Sequence, residues 1–240
     1  MTVREFFGCA FLAFGPPVAM FLFTIVQDPV RIIILIAAAF FWLVSLLLSS
    51  LLWFAVVPLQ KHLLFGMICS VLFQEGFRYI IYRILRKAEN GLMKITEDSA
   101  RLIDNKHILA YVSGLGFGII SGAFSLINVL ADAVGPATMG LKAGNEMFFL
   151  SSAATALSFI LLHTFWSVLF FNGFDNNNRI QVGYVIVAHL LASGLTMFNR
   201  YQIYTATLIP LYLLLSVSAV YAFRVAGGSF DSLKAACSVK

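Results

Sequence analysis

Seven stretches of this chain are long and apolar enough to cross a lipid bilayer. A helix needs about 20 predominantly apolar residues to span the hydrocarbon core. Such runs lie at about 6–26, 32–57, 63–85, 108–131, 147–171, 180–198 and 204–226. Backbone inside lipid must satisfy its own hydrogen bonds, so each run is expected to be a helix. The fold class is therefore all-α. The chain reads as a polytopic membrane protein, a seven-transmembrane-helix bundle forming one domain over residues 1–240. The first run exceeds a signal-peptide core and lacks a basic leader, so it is expected to stay as a helix. Pro16 and Pro17 fall in its middle and are expected to kink it.

Composition supports lipid as the solvent. Hydrophobic residues make up 60% of the chain and charged residues 11%, against about 25% charged in a soluble domain. Mean hydropathy is +0.91. The net charge of +5 fits the Lys and Arg bias of cytoplasmic loops rather than nucleic-acid binding. Four Lys and Arg residues (Arg4, Lys61, Lys142, Arg200) fall on the N-terminal side of the membrane and eleven on the other; Arg78 lies within a span. The positive-inside rule then puts the C-terminus in the cytosol and the N-terminus outside or in the lumen. The connections are short except for a charged loop at 86–107 and a small-residue stretch at 132–146. A tail at 227–240 follows the last run, and both the charged loop and the tail are expected in the cytosol. Cys9, Cys69 and Cys237 form neither a CxxC nor a zinc spacing. Cys237 is a candidate for palmitoylation.

Three sets of residues break the apolar pattern. In SGLGFGIISG, Gly114, Gly118 and Gly122 recur every fourth residue and form one stripe on a helix. Small residues at that spacing let a second helix approach backbone to backbone. Ser121 and Ser125 widen the small face. The stripe packs either against the protein's own helices or against a partner's. His163 and His189 lie inside the fifth and sixth runs, which a short connection makes neighbours. Ionisable groups within a bilayer face the bundle interior or a wet cavity. The pair is either a packing device or a site; no Cys or third His stands near to complete a metal site. The third run carries QEGFRY, with Gln74, Glu75 and Arg78. Glu75 and Arg78 share a helix face and are expected to turn inward as a buried ion pair; alternatively, Glu75 or Gln74 bonds a neighbouring or partner helix.

Enzyme chemistry finds little support here. The HExxH of a zinc protease is absent, as is a pair of aspartates within the spans. A rhomboid-like serine protease needs GxSG; Ser113 and Ser121 are each followed by glycine, but neither sits in that motif. A serine/histidine-dependent intramembrane protease is kept as the alternative reading. No cofactor and no metal is implied.

Long strings such as FFGCAFLAFGPPVAMFLFTI, QEGFRYIIYRILRKAE, AYVSGLGFGIISGAFSLINVLAD and LLHTFWSVLFF resemble the anterior-pharynx-defective family, from about residue 5 to 230. The resemblance implies the non-catalytic scaffold of γ-secretase, with a lumenal N-terminus and a cytosolic C-terminus. It implies assembly with nicastrin, presenilin and the small presenilin-enhancer subunit. It also implies residence in endoplasmic reticulum, Golgi, plasma and endosomal membranes, and support of intramembrane cleavage of type I proteins such as Notch and the amyloid precursor protein. The family's glycine motif falls on Gly114, Gly118 and Gly122, and its intramembrane histidines on His163 and His189. Both sets are expected to serve assembly.

Overall fold

A computed structural model describes residues 3–59, 62–92, 106–134 and 146–229, together with Asp231 and Lys234. The stretches 93–105 and 135–145, like Cys237, lie outside the described residues. Among the described residues seven long helices occur: α1 (Val3–Thr24), α2 (Pro29–Ala55), α3 (Leu63–Leu92), α4 (Lys106–Val134), α5 (Glu146–Asp175), α6 (Arg179–Leu195) and α7 (Tyr204–Val225). All seven are long and apolar enough to cross a membrane, and no strand occurs among the described residues. The chain is a multi-pass membrane protein.

Helix ends are set by short polar signals. Asp28 caps α2 by accepting from Val30 N at 2.9 Å, and Pro29 stands in its first turn, where a missing N–H costs nothing. Arg31 pairs with Asp28 at 3.1 Å and donates to Thr24 O at 2.7 Å, tying the start of α2 to the end of α1. The α5–α6 connection is tighter still. Asn177 adopts φ 53, and Asn178 N donates to Gly173 O at 2.7 Å, closing α5 with a Schellman-type turn. Asn178 then caps α6 by accepting from Gln181 N at 3.2 Å.

Three boundaries differ from the hydropathy reading. The third run continues as helix to Leu92, so residues 86–92 of the expected loop are the last turns of α3. The charged side chains there pack rather than dangle: Arg86 meets Glu89 at 2.8 Å and also pairs with Asp175. Similarly α5 runs on to Asp175. The sixth run narrows after Leu195 into a 3₁₀ segment, Thr196–Tyr201. Meanwhile α1 remains helical through Pro16 and Pro17.

The helices wrap around α5. Of its most apolar window 67% is buried, and 50% for α4, against 17–28% for the other five. Helix α5 packs on α1, α4, α6 and α7, while α2 bridges α3 and α4. The outer faces carry large exposed apolar side chains, among them Phe11, Phe23, Ile33, Phe54, Leu213 and Val217. In a bilayer these contact lipid or other helices.

Candidate functional site: a buried charge and histidine network

The two intramembrane histidines meet because their helices form a tight antiparallel hairpin. His163 lies twelve residues before the end of α5 and His189 ten residues after the start of α6. At 1.5 Å per residue both sit roughly 15–18 Å from the turn, at the same height. Their rings are perpendicular with centroids 5.0 Å apart. Both are buried.

Helix α3 slots its charged pair against this hairpin. Glu75 Oε2 and Arg78 Nε are 3.2 Å apart; they attract as charges, though the two atoms are not aligned for a hydrogen bond. Each partner also binds a histidine. Glu75 Oε1 accepts from His189 Nδ1 at 2.7 Å. Arg78 Nη2 donates to His163 Nδ1 at 2.8 Å. Arg78 Nη1 donates to His163 O at 3.2 Å and to Ser167 Oγ at 3.0 Å. A guanidinium has no acceptor, and an ionised carboxylate no donor. His163 Nδ1 is therefore an acceptor, with its proton on Nε2, while His189 carries a proton on Nδ1. The two rings face opposite charges and take opposite roles.

Aromatic side chains enclose the network. The Phe117 ring of α4 lies 5.3 Å from the Arg78 guanidinium carbon, and the Trp166 ring lies 4.9 Å from that of His189, inclined at 35°. Gln74 reaches the other way: Trp42 Nε1 donates to its Oε1 at 3.1 Å, tying α3 to α2.

The glycine stripe turns out to adjoin this network. A Cβ on Gly114 would stand 2.9 Å from His163 O and 2.7 Å from Ser167 Cβ. The carbonyl that Arg78 binds is thus approached by bare α4 backbone on its other side. One turn on, a Cβ on Gly118 would stand 2.5 Å from Ile160 O, and one on Gly122 2.6 Å from Ile160 Cδ1. Gly116 points elsewhere and meets the Leu35 backbone of α2. The structure seats the stripe against the protein's own α5. Ser121 and Ser125 leave that seam and line a cavity of about 360 Å³ with Ser152, Thr155, Ser193 and Thr196, the histidines also bordering it. Thr155 Oγ1 is buried there without a hydrogen-bond partner.

A sequence model of the Aph-1 protein family matches residues 4–229. The chain belongs to the Aph-1 family. It is 64% identical to "Gamma-secretase subunit Aph-1" of Drosophila melanogaster over 98% of each chain. Identity is 49% with "Gamma-secretase subunit Aph-1b" of Danio rerio, covering 100% of this chain and 95% of that one. With "Gamma-secretase subunit APH1-like" of Arabidopsis thaliana it is 33%, over 92% of each.

In this Aph-1 chain the sequence motifs read as separate sets are one assembly on α5. Glu75 and Arg78 do not simply neutralise each other. They clamp α3 to α5 and α6 through the histidines. Ser167 was missed as a member; its signal is its place one turn after His163, on the same helix face. Trp42, Phe117 and Trp166 carried no polar pattern that would single them out among 24 Phe and 3 Trp. For the serine–histidine alternative, Ser113 donates to Ala110 O at 3.0 Å, both histidine Nδ1 atoms are engaged by Glu75 and Arg78, and Ser121 lines the cavity that the histidines border. With one buried cation beside one buried anion, the network carries no net charge into the bilayer while both histidines stay neutral. A buried ion pair of this kind is held less by its own energy than by what removing one member would leave uncompensated.

Proposed function

We propose that this chain is a subunit of γ-secretase and acts there as a non-catalytic scaffold, assembling with presenilin, nicastrin and the presenilin-enhancer subunit. The observation that carries the reading is the near-full-length 64% identity to a relative named as a gamma-secretase subunit. The internal geometry supports the scaffold role. The α4 glycines and the Glu75–Arg78–His163–His189 network fix helices α3 to α6 to one another. The apolar outer faces of α1, α2 and α7 then stand on a rigid core, available to partner helices. The N-terminus faces the lumen or exterior; the residues between α3 and α4, and those after α7, face the cytosol. Substrates are type I membrane proteins, Notch and the amyloid precursor protein among them, cleaved by the partner's catalytic groups in endoplasmic reticulum, Golgi, plasma or endosomal membranes.

The test is purification of a tagged copy from insect cells in mild detergent, with co-purifying proteins identified. Presenilin and nicastrin should come with the normal chain and fall away from Gly118→Leu. If the chain instead purifies alone and cleaves a membrane peptide, and Ser121→Ala abolishes that cleavage, the scaffold reading is wrong.

A further inference from the structure

At the end of α3 a recess of about 820 Å³ opens to the outside of the bundle, away from the histidine network. Its floor is aromatic: Phe174 of α5 packs between Tyr79 and Tyr82, with centroids 4.9 and 5.3 Å away. Its rim is basic and polar, formed by Arg83, Lys87 and Asn90 from successive turns of α3 and by Asn177 from the α5–α6 turn. All four rim residues are exposed.

The charges divide into two groups. Arg86 is committed inward: it pairs with Asp175 and Glu89, and Tyr82 Oη also donates to Asp175 at 3.0 Å. These bonds brace the recess and engage the carboxylates of Glu89 and Asp175. Arg83 meets Tyr79, with Nη1 3.3 Å from its hydroxyl and the guanidinium carbon 6.0 Å from its ring centroid, and has no ion-pair partner among the described residues. Lys87 has no ion-pair partner among the described residues. Two cations are therefore displayed at a recess whose described lining residues include no carboxylate.

Helix length sets the height at which these cations stand relative to the membrane. Helix α3 has 30 residues, so it is about 45 Å long, more than the ~30 Å hydrocarbon core. Some 20 residues from Leu63 reach Tyr82. Arg83 then lies at the edge of the core and Lys87 about 6 Å beyond, at headgroup level. The tyrosines sit where aromatic side chains favour the interface. Below the rim Ile80 is exposed and offers a surface for acyl chains, and Ile84 is exposed beside Arg83. Basic recesses between membrane helices at this depth suit anionic lipid headgroups.

We propose that this recess binds the phosphorylated headgroup of an anionic membrane lipid. Arg83 and Lys87 contact the phosphates, and Asn90 and Asn177 hydrogen-bond the remaining headgroup oxygens. Such lipids concentrate in the cytosolic leaflet, the side on which the proposed orientation places this end of α3.

The test uses the full chain in detergent, where membrane sidedness plays no part. Its outcome is thus independent of the orientation and of membership of γ-secretase. Native mass spectrometry would count bound phosphatidylinositol bisphosphate and give an apparent Kd. Loss of one surface cation corresponds to about fivefold in lipid affinity. Arg83→Gln with Lys87→Gln should therefore weaken binding on the order of thirtyfold. A matched pair at the same end of the bundle, Arg179→Gln with Arg224→Gln, should change it less than about threefold. The charge-keeping pair Arg83→Lys with Lys87→Arg should retain binding and rule out misfolding as the cause. Equal losses in the recess and control pairs would mean diffuse surface charge and overturn the assignment. So would unchanged binding in the recess pair. Soluble inositol trisphosphate binding as tightly as the lipid would overturn the membrane source of the ligand.

Discussion

Gly118→Ala tests whether the glycine stripe is an internal seam. The new methyl carbon would lie 2.5 Å from Ile160 O, 2.9 Å from its Cα and 3.0 Å from its carbonyl carbon. All three are backbone atoms of α5, so no rotamer change relieves the contact. Ordinary contact begins near 3.4 Å, so the two helices must separate by roughly 0.9 Å at their closest crossing. Overpacking of this kind costs about 1–3 kcal/mol, and a backbone-on-backbone clash belongs at the upper end. Alanine's better helix propensity returns up to about 1 kcal/mol, leaving a net loss of about 2 kcal/mol. Gly183→Ala is the internal reference. Nothing lies within 4 Å of its Cβ position, so only the propensity gain of up to about 1 kcal/mol remains. The two variants should differ by about 3 kcal/mol, or over a hundredfold in the unfolding equilibrium. Gly122→Ala should fall between them, because the end of the Ile160 side chain can move aside. Heating the purified chain in mild detergent with a thiol-reactive dye would report unfolding through the buried Cys9. The expected order of Tm is Gly183→Ala, Gly122→Ala, Gly118→Ala, from highest to lowest. A Gly118→Ala variant as stable as Gly183→Ala would refute the close α4–α5 approach.

Other consequences follow from the network and the helix ends. Glu75→Gln leaves Arg78 buried without its counter-ion and should cost about 3–5 kcal/mol; the double variant Glu75→Gln with Arg78→Met should recover part of that loss in the same thermal assay. His189→Asn places an N–H near the Nδ1 position and should retain more stability than His189→Ala, whereas equal losses would argue against the bond to Glu75. Nitrogen NMR of labelled histidine should find His163 protonated at Nε2, and His189 carrying its proton on Nδ1; the same tautomer in both would contradict the assigned donors. Gly227→Ala, at φ +87 in the turn that ends α7, should cost on the order of 1 kcal/mol, read as a lower Tm.

Much of this protein is determined by its sequence alone. Seven apolar runs of bilayer length leave the backbone no alternative to helices, because lipid offers it no hydrogen bonds. The same logic required Glu75, Arg78, His163 and His189 to turn inward, and the four-residue spacing of Gly114, Gly118 and Gly122 required a close helix contact. Boundaries were less legible. Hydropathy falls at Arg86, yet α3 continues to Leu92 because Arg86 finds Asp175 on another helix. Only the tertiary structure decided which helix fills the glycine seam and which charge meets which histidine. Hydropathy and spacing act along one helix, whereas a carboxylate 114 residues from its histidine partner is brought to 2.7 Å by the packing of three helices. The α5–α6 turn sets the two rings at one height, and bare glycine backbone lets α4 close over the carbonyl that Arg78 binds. Those distances arise from shape complementarity between whole helices, which no local pattern encodes.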